Sequence, residues 1–212
     1  GLLLSRCRFM FLDDFRSHFS EKVFAEMRGV SDSNGQSPLW DALGSKFFDM
    51  EFSEADMLSG LGNKSFIAEL MPKYPIYLPM LPDAARAVIG RVHENTAPAL
   101  KMLQAEGFNF NGMVDIFDGG PAVEAFIHSI RTVREGINRH VMIRKKPLVT
   151  DVPAEQQVMI SNRSFRDFRV TTIPAECIGL DTVSIPADVA EALEVESGDL
   201  VRLAPLKDTG RR

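Results

Sequence analysis

Leu4, Phe11, Phe15 and Phe19 recur at helical spacing with Arg8, Asp14 and Ser17 between them, which predicts an amphipathic helix over 2–19. A short strand follows over 23–30, stopped by the turn cluster Ser31-Asp32-Ser33-Asn34-Gly35. Ser37 then stands in an N-cap position and Pro38 in the first helical one, ahead of a buried stripe of Leu39, Trp40, Leu43 and Phe47 that Gly44 weakens. Between 53 and 73 the pattern fits strand and helix alike, with Gly60 and Gly62 flanking a leucine. Pro72, Pro75, Pro79 and Pro82 punctuate a loop before a helix over 83–89. Residues 97–106 form the next helix, with Leu100 and Leu103 on one side and Gly107 closing it at C′.

Beyond this point strands dominate. Residues 108–117 alternate, Asp118-Gly119-Gly120-Pro121 turns the chain, and 122–127 reads as a second strand. Arg144-Lys145-Lys146-Pro147 marks 139–150 as a solvated connector and places a domain boundary there. Short apolar runs at 158–160, 168–173, 183–185 and 200–203, with one brief helix over 187–193, give the tail the character of a small β-rich domain. The expected class is α+β, with a mixed sheet and flanking helices over 1–146 and a small all-β subdomain over 147–212. Two stretches, 37–52 and 95–110, both run cap, amphipathic helix, glycine, aromatic strand, as two helix-to-strand units built alike would.

At 212 residues the chain builds its core without disulfide or metal support. A net charge of −5 supplies no overall field toward phosphate backbones or anionic lipid, so neither nucleic acid nor membrane is an expected partner. Cys7 and Cys177 stand far apart and away from metal-ligand or redox spacing, which fits a reducing, cytoplasmic compartment and no metal site. Gly1-Leu2-Leu3-Leu4 is broken at once by Ser5, Arg6 and Arg8 and makes neither a signal core nor a span. Because the sequence opens with Gly inside a helical pattern, an upstream segment is expected to be missing.

Several phrases carry a resemblance. Ala25-Glu26-Met27-Arg28-Gly29-Val30, the run from Phe66 to Lys73, Val92-His93 with Thr96-Ala97-Pro98-Ala99, Glu106-Gly107-Phe108 and Asp115-Ile116-Phe117-Asp118-Gly119-Gly120-Pro121 together resemble the arginine N-succinyltransferase family. The helix, strand, helix, strand order is similar to the second half of the Gcn5-related N-acyltransferase fold. The resemblance covers nearly everything to about Val133 and returns weakly in the tail. It implies succinyl transfer from succinyl-CoA, a cosubstrate and not a resident cofactor, to the α-amino group of L-arginine, with ornithine accepted by some members. It also implies an acyltransferase core joined to an all-β subdomain, and an oligomer of like or related chains.

Such chemistry needs few side chains. A protonated amine cannot attack a thioester, so its proton must be accepted, and the departing thiolate gains from receiving one; histidine serves either step near neutral pH. By itself, a histidine ahead of a helix is more often a capping or surface group. The resemblance implies that His93 is the family's active-site proton donor; Asn95 and Thr96 read as caps of the helix that follows, fixing the imidazole. It also implies a coenzyme-binding role for Gly1, the last glycine of a loop whose helix end favours a pyrophosphate. His18, His128 and His140 carry no assignment, and Cys7 reads as a packed thiol. Glu26, Glu69, Asp115, Asp118 and Glu124 are the acids within the matching segments for guanidinium recognition, none singled out.

Two other readings stand beside this one. The chain is a noncatalytic fragment or subunit of such an enzyme, with residues 1–212 alone turning over weakly or not at all. Alternatively Ile185-Pro186-Ala187-Asp188-Val189 and Glu196 to Leu203, which resemble a swapped-hairpin transcription-factor module, make the tail a DNA-binding or dimerising element.

Overall fold

The computed structural model describes residues 1–32, 34–61, 65–148 and 151–208. Ser33 of the predicted turn, Gly62 of the glycine pair and Thr150 of the connector lie outside them. In chain order the main elements are α1 (Leu2–Asp14), β1 (Lys22–Glu26), α2 (Ser45–Phe47), α3 (Phe52–Gly60), α4 (Ser65–Leu70), α5 (Asp83–Val88) and α6 (Ala97–Ala105). They continue as β2 (Asn109–Val114), β3 (Pro121–Phe126), α7 (Arg131–Arg134), β4 (Ile137–Arg144), β5 (Gln157–Ser161), β6 (Val170–Pro174), β7 (Thr182–Pro186), α8 (Ala187–Leu193) and β8 (Leu200–Pro205). The α+β class read from the sequence holds. The chain divides into two compact units, one of Gly1–Val23, Gln104–Gly107 and Ala125–Arg212, the other of Phe24–Leu103 and Phe108–Glu124.

In the second of these units β3 lies between β1 and β2, antiparallel to β2, with Phe110 opposite Val123. The predicted cap at Ser37 forms: its Oγ accepts the Trp40 N–H at 3.4 Å and donates to the Phe117 carbonyl at 3.2 Å. The helix it opens is wound as a π-turn over Trp40–Gly44. Gly44 is the reason the turn can pack, since a Cβ there would stand 2.3 Å from the Trp40 ring. Trp40, Phe48, Ala55 and Phe117 form one core cluster, and Leu39, Leu81, Ala85 and Val88 another. The ambiguous stretch is helical, as α3 and α4. Gly107, at φ +100°, ends α6 as read, with Phe108 N–H returning to the Leu103 carbonyl at 3.1 Å.

The other unit is built on a five-stranded mixed sheet in the order β6-β5-β8-β4-β7, antiparallel except for β4 with β7. Alternate residues serve opposite faces. Val158, Ile160 and Leu203 join Ala190 and Leu193 of α8 in one cluster, while Met159 and Ala204 join Met10 of α1 in the other. A strand buried on both faces reads as a continuous apolar run, as β5 does. β4 corrects the sequence reading. Ile137–Arg144 is a strand between β8 and β7, not a connector, and Val141 is its one buried residue among mostly exposed neighbours, so its composition hid the pairing. The helix α1 also differs from expectation. It ends at Asp14, it buries Arg6, Phe9 and Met10, and Leu4 is exposed.

Arg6 is buried because it has a partner. Its Nε lies 2.9 Å from Glu106 Oε1, and the same oxygen receives Arg131 Nη2 at 2.7 Å. The Arg131 fork reaches Glu135 at 2.8 Å, Glu106 Oε2 accepts the Thr132 N–H at 2.9 Å, and Arg6 also donates to the Leu206 carbonyl. Two guanidiniums thus share one carboxylate that is 1% exposed. Asp13 pairs with Arg202, and Asp14, packed against Arg163 at 3.2 Å, has its carboxyl pushed above the usual range by burial.

Candidate active site

Three segments of one unit meet around His93. The first is the end of the β1 chain, Arg28-Gly29, which bridges to Val92 in antiparallel fashion; the His93 N–H donates to the Arg28 carbonyl at 2.8 Å. The second runs from Gly90 to His93, and the third is the Asp115–Gly120 turn. The Asp118 carboxylate accepts the Gly29 N–H at 2.6 Å and the Gly120 N–H at 2.8 Å, and Asp115 Oδ1 accepts the Phe117 N–H at 2.7 Å. Gly90 N–H closes the set on the Gly119 carbonyl at 2.8 Å.

Glycine is required at the joints. A Cβ on Gly29 would lie 2.5 Å from the Asp118 carbonyl oxygen, and one on Gly120 would lie 2.0 Å from the Met27 carbonyl oxygen. Gly119 turns at φ +73°, in the left-handed region. Backbone therefore packs on backbone behind Gly29, and Arg28 and His93, the neighbours of the Gly29–Val92 bridge, face the other way. Gly29→Ala is expected to force the turn off the strand at a cost of about 1–3 kcal/mol, read by urea unfolding.

His93 itself is half-buried and caps a 3₁₀ turn over Glu94–Thr96. Its Nδ1 accepts the Asn95 backbone N–H at 3.1 Å, and its carbonyl accepts from Thr96 at 2.9 Å and Ala97 at 3.1 Å. The capping relation is thus the reverse of the expected one: the histidine caps, and the backbone of Asn95 fixes the ring. An amide N–H only donates, which assigns the lone pair to Nδ1 and the hydrogen of the neutral ring to Nε2. The ring is neither in the core nor paired with a carboxylate among the described residues.

Gly1 lies in the other unit, exposed at the N-cap of α1, with open space around its Cα and no acidic residue in the first turn. Asp115 and Asp118 are bound up in the turn just described, Glu124 accepts from Asn111 Nδ2 at 2.5 Å, and Glu26 and Glu69 are exposed. His18 packs against Phe165 in a tilted ring pair, His128 stacks on Phe126, and His140 Nδ1 sits 2.9 Å from the Gly198 carbonyl. The unit built on the five-stranded sheet holds a cavity of about 1050 Å³ whose carboxylates are Glu135, Asp151, Glu155 and Glu176. None of these was singled out from the sequence, since they come together only through the sheet. Among the described residues no group of three or more His, Cys, Asp or Glu is placed to hold a metal, and no helix is long and apolar enough to cross a membrane.

Cys7 is half-buried on α1, and burial pushes its thiol above the ordinary range. Cys177 is buried and shifted the same way. Both thiols are therefore expected to react with a disulfide reagent at neutral pH much more slowly in the folded chain than after unfolding.

The arginine N-succinyltransferase beta subunit family matches residues 1–132, and its C-terminal domain matches residues 139–205. The chain belongs to the arginine N-succinyltransferase family. It is 49% identical over 208 residues to arginine N-succinyltransferase subunit beta of Pseudomonas aeruginosa, which covers 97% of this chain and 59% of that protein. Against arginine N-succinyltransferase of Yersinia enterocolitica the identity is 45% over 206 residues, with 97% and 59% covered. The structure of arginine/ornithine succinyltransferase subunit AI from Pseudomonas aeruginosa superposes with a TM-score of 0.81 at 33% identity, over 96% of this chain and 56% of that one. The chain thus spans 59% of the length of the first two relatives. His93, Arg28, Gly29 and the Asp115–Gly120 turn all fall inside the 1–132 match of this succinyltransferase family.

Proposed function

We propose that this chain carries catalytic machinery of an arginine N-succinyltransferase, which moves the succinyl group of succinyl-CoA to the α-amino group of L-arginine, with ornithine as a second acceptor. One observation carries the assignment of His93: a ring fixed at Nδ1 by a backbone N–H presents an Nε2–H donor on the face turned away from the backbone packing behind Gly29. The acceptor amine, deprotonated, attacks the thioester carbonyl. Its nitrogen becomes cationic as the C–N bond forms, the C–S bond breaks, and the sulfur takes a proton from Nε2 while the ring recovers one from that nitrogen. Amide and free thiol result. No covalent enzyme intermediate is needed, in keeping with the shielded thiol of Cys7.

The same proposal gives residues 1–146 part of the acyltransferase domain and residues 147–212 most of the small β-rich subdomain, whose sheet also takes in β4. It assigns to the coenzyme pyrophosphate Gly1, which stands at an α1 N-terminus without acids in its first turn. Assembly with a like or related chain and a cytoplasmic location complete the reading. Thiol release from succinyl-CoA by the full enzyme, with arginine, ornithine and lysine compared, tests it. Release that depends on arginine is expected; release indifferent to any amine overturns the proposal.

A further inference from the structure

We propose that Arg28 is a specificity-determining residue that binds a substrate carboxylate beside His93, an inference that rests on the succinyl-transfer reading above. Its position follows from register. Gly29 bridges Val92 in antiparallel fashion, so Arg28 stands directly opposite His93, as the hydrogen bond from His93 N–H to the Arg28 carbonyl at 2.8 Å requires. Directly opposed residues project from the same face with Cβ atoms ~5 Å apart. The opposite face, that of Gly29, is filled by Asp118 and Gly120. Arg28 and His93 therefore share the open one.

The guanidinium is also available. Arg28 is exposed, and among the described residues its side chain meets a single partner, the Ser31 hydroxyl, to which Nη2 donates at 2.9 Å. No carboxylate among the described residues pairs with it, a state it shares with exposed arginines such as Arg91 and Arg134 but joins to a place opposite His93, whereas Arg6, Arg16, Arg86, Arg131, Arg163, Arg169 and Arg202 all hold one. Ser31 steadies one end of a planar fork and leaves the remaining donors for a carboxylate. The reaction brings two such groups close to the reacting atoms. The succinyl chain ends in a carboxylate two methylenes from the thioester carbonyl, and an amino-acid acceptor carries one on the carbon that bears its amine. Either lies within the reach of a guanidinium one cross-strand spacing from the imidazole.

Kinetics of the full enzyme separate the sources. Arg28→Gln is compared with the unaltered enzyme using succinyl-CoA against acetyl-CoA, and L-arginine against its methyl ester. A charge-assisted pair lost from the site is expected to raise one KM by about 10- to 100-fold with kcat changed much less. If the rise is confined to succinyl-CoA and absent with acetyl-CoA, the carboxylate is the succinyl one; if it is confined to L-arginine and absent with the ester, it is that of the acceptor. Arg28→Lys is expected to restore part of the loss, because it keeps the charge and gives up the fork. An equal loss with every substrate, or none with any, overturns the inference while leaving succinyl transfer intact. An unaltered enzyme that neither binds nor consumes succinyl-CoA overturns the functional reading and this inference with it.

Discussion

Glu106→Ala is expected to lower the unfolding free energy by about 3–5 kcal/mol. The carboxylate holds two guanidiniums, Arg6 at 2.9 Å and Arg131 at 2.7 Å, and all three side chains are at most 6% exposed. Removing it leaves two buried cations, with Glu135 and the Pro205 and Leu206 carbonyls as their remaining partners. Burial already pulls the Arg6 guanidinium below its ordinary range, with Glu106 opposing that pull and the nearby Arg131 charge adding to it. Glu106→Gln keeps the shape and the acceptor but not the charge, and is expected to fall between. Urea unfolding followed by far-UV circular dichroism measures both; a loss below about 1 kcal/mol for Glu106→Ala contradicts the clamp.

His93→Ala is expected to cost about 10²- to 10⁴-fold in kcat/KM and, separately, about 1 kcal/mol of stability. The two effects have different origins. The stability term is the lost acceptor for the Asn95 N–H, which any good capping side chain can replace. On the proposed mechanism the kinetic term is the lost proton transfer to sulfur, which a small diffusible acid such as imidazolium can partly supply. Added imidazole is therefore expected to raise the turnover of His93→Ala in proportion to its concentration while leaving its melting temperature unchanged.

How much of this was legible depended on how local each signal is. The helix over 187–193 and its flanking strands were readable because short apolar runs bounded by turn residues report burial directly. His93 was readable as a capping residue before a helix, though the roles of the ring and of Asn95 were inverted. β4 was not readable: between β8 and β7 it keeps Arg139 and His140 at the surface, where they bond the Gly179 and Gly198 carbonyls, so its pattern looked solvated. The face of α1 was misjudged for a related reason. Arg6 counts as polar in any periodicity, and the carboxylate that lets it be buried lies a hundred positions away at Glu106. Arg28, too, gained meaning only from an isolated bridge to Val92 and His93 that periodicity does not encode.

Asparagine at position 93 separates the structural task of the side chain from the chemical one, because it caps a helical turn as well as any residue and transfers no proton. The decisive measurement is the initial rate of thiol release from succinyl-CoA with saturating L-arginine, for the unaltered enzyme and His93→Asn side by side. The expected result is an unchanged melting temperature with a rate reduced at least about 100-fold. A His93→Asn enzyme that releases thiol within about twofold of the unaltered rate contradicts the catalytic role of His93.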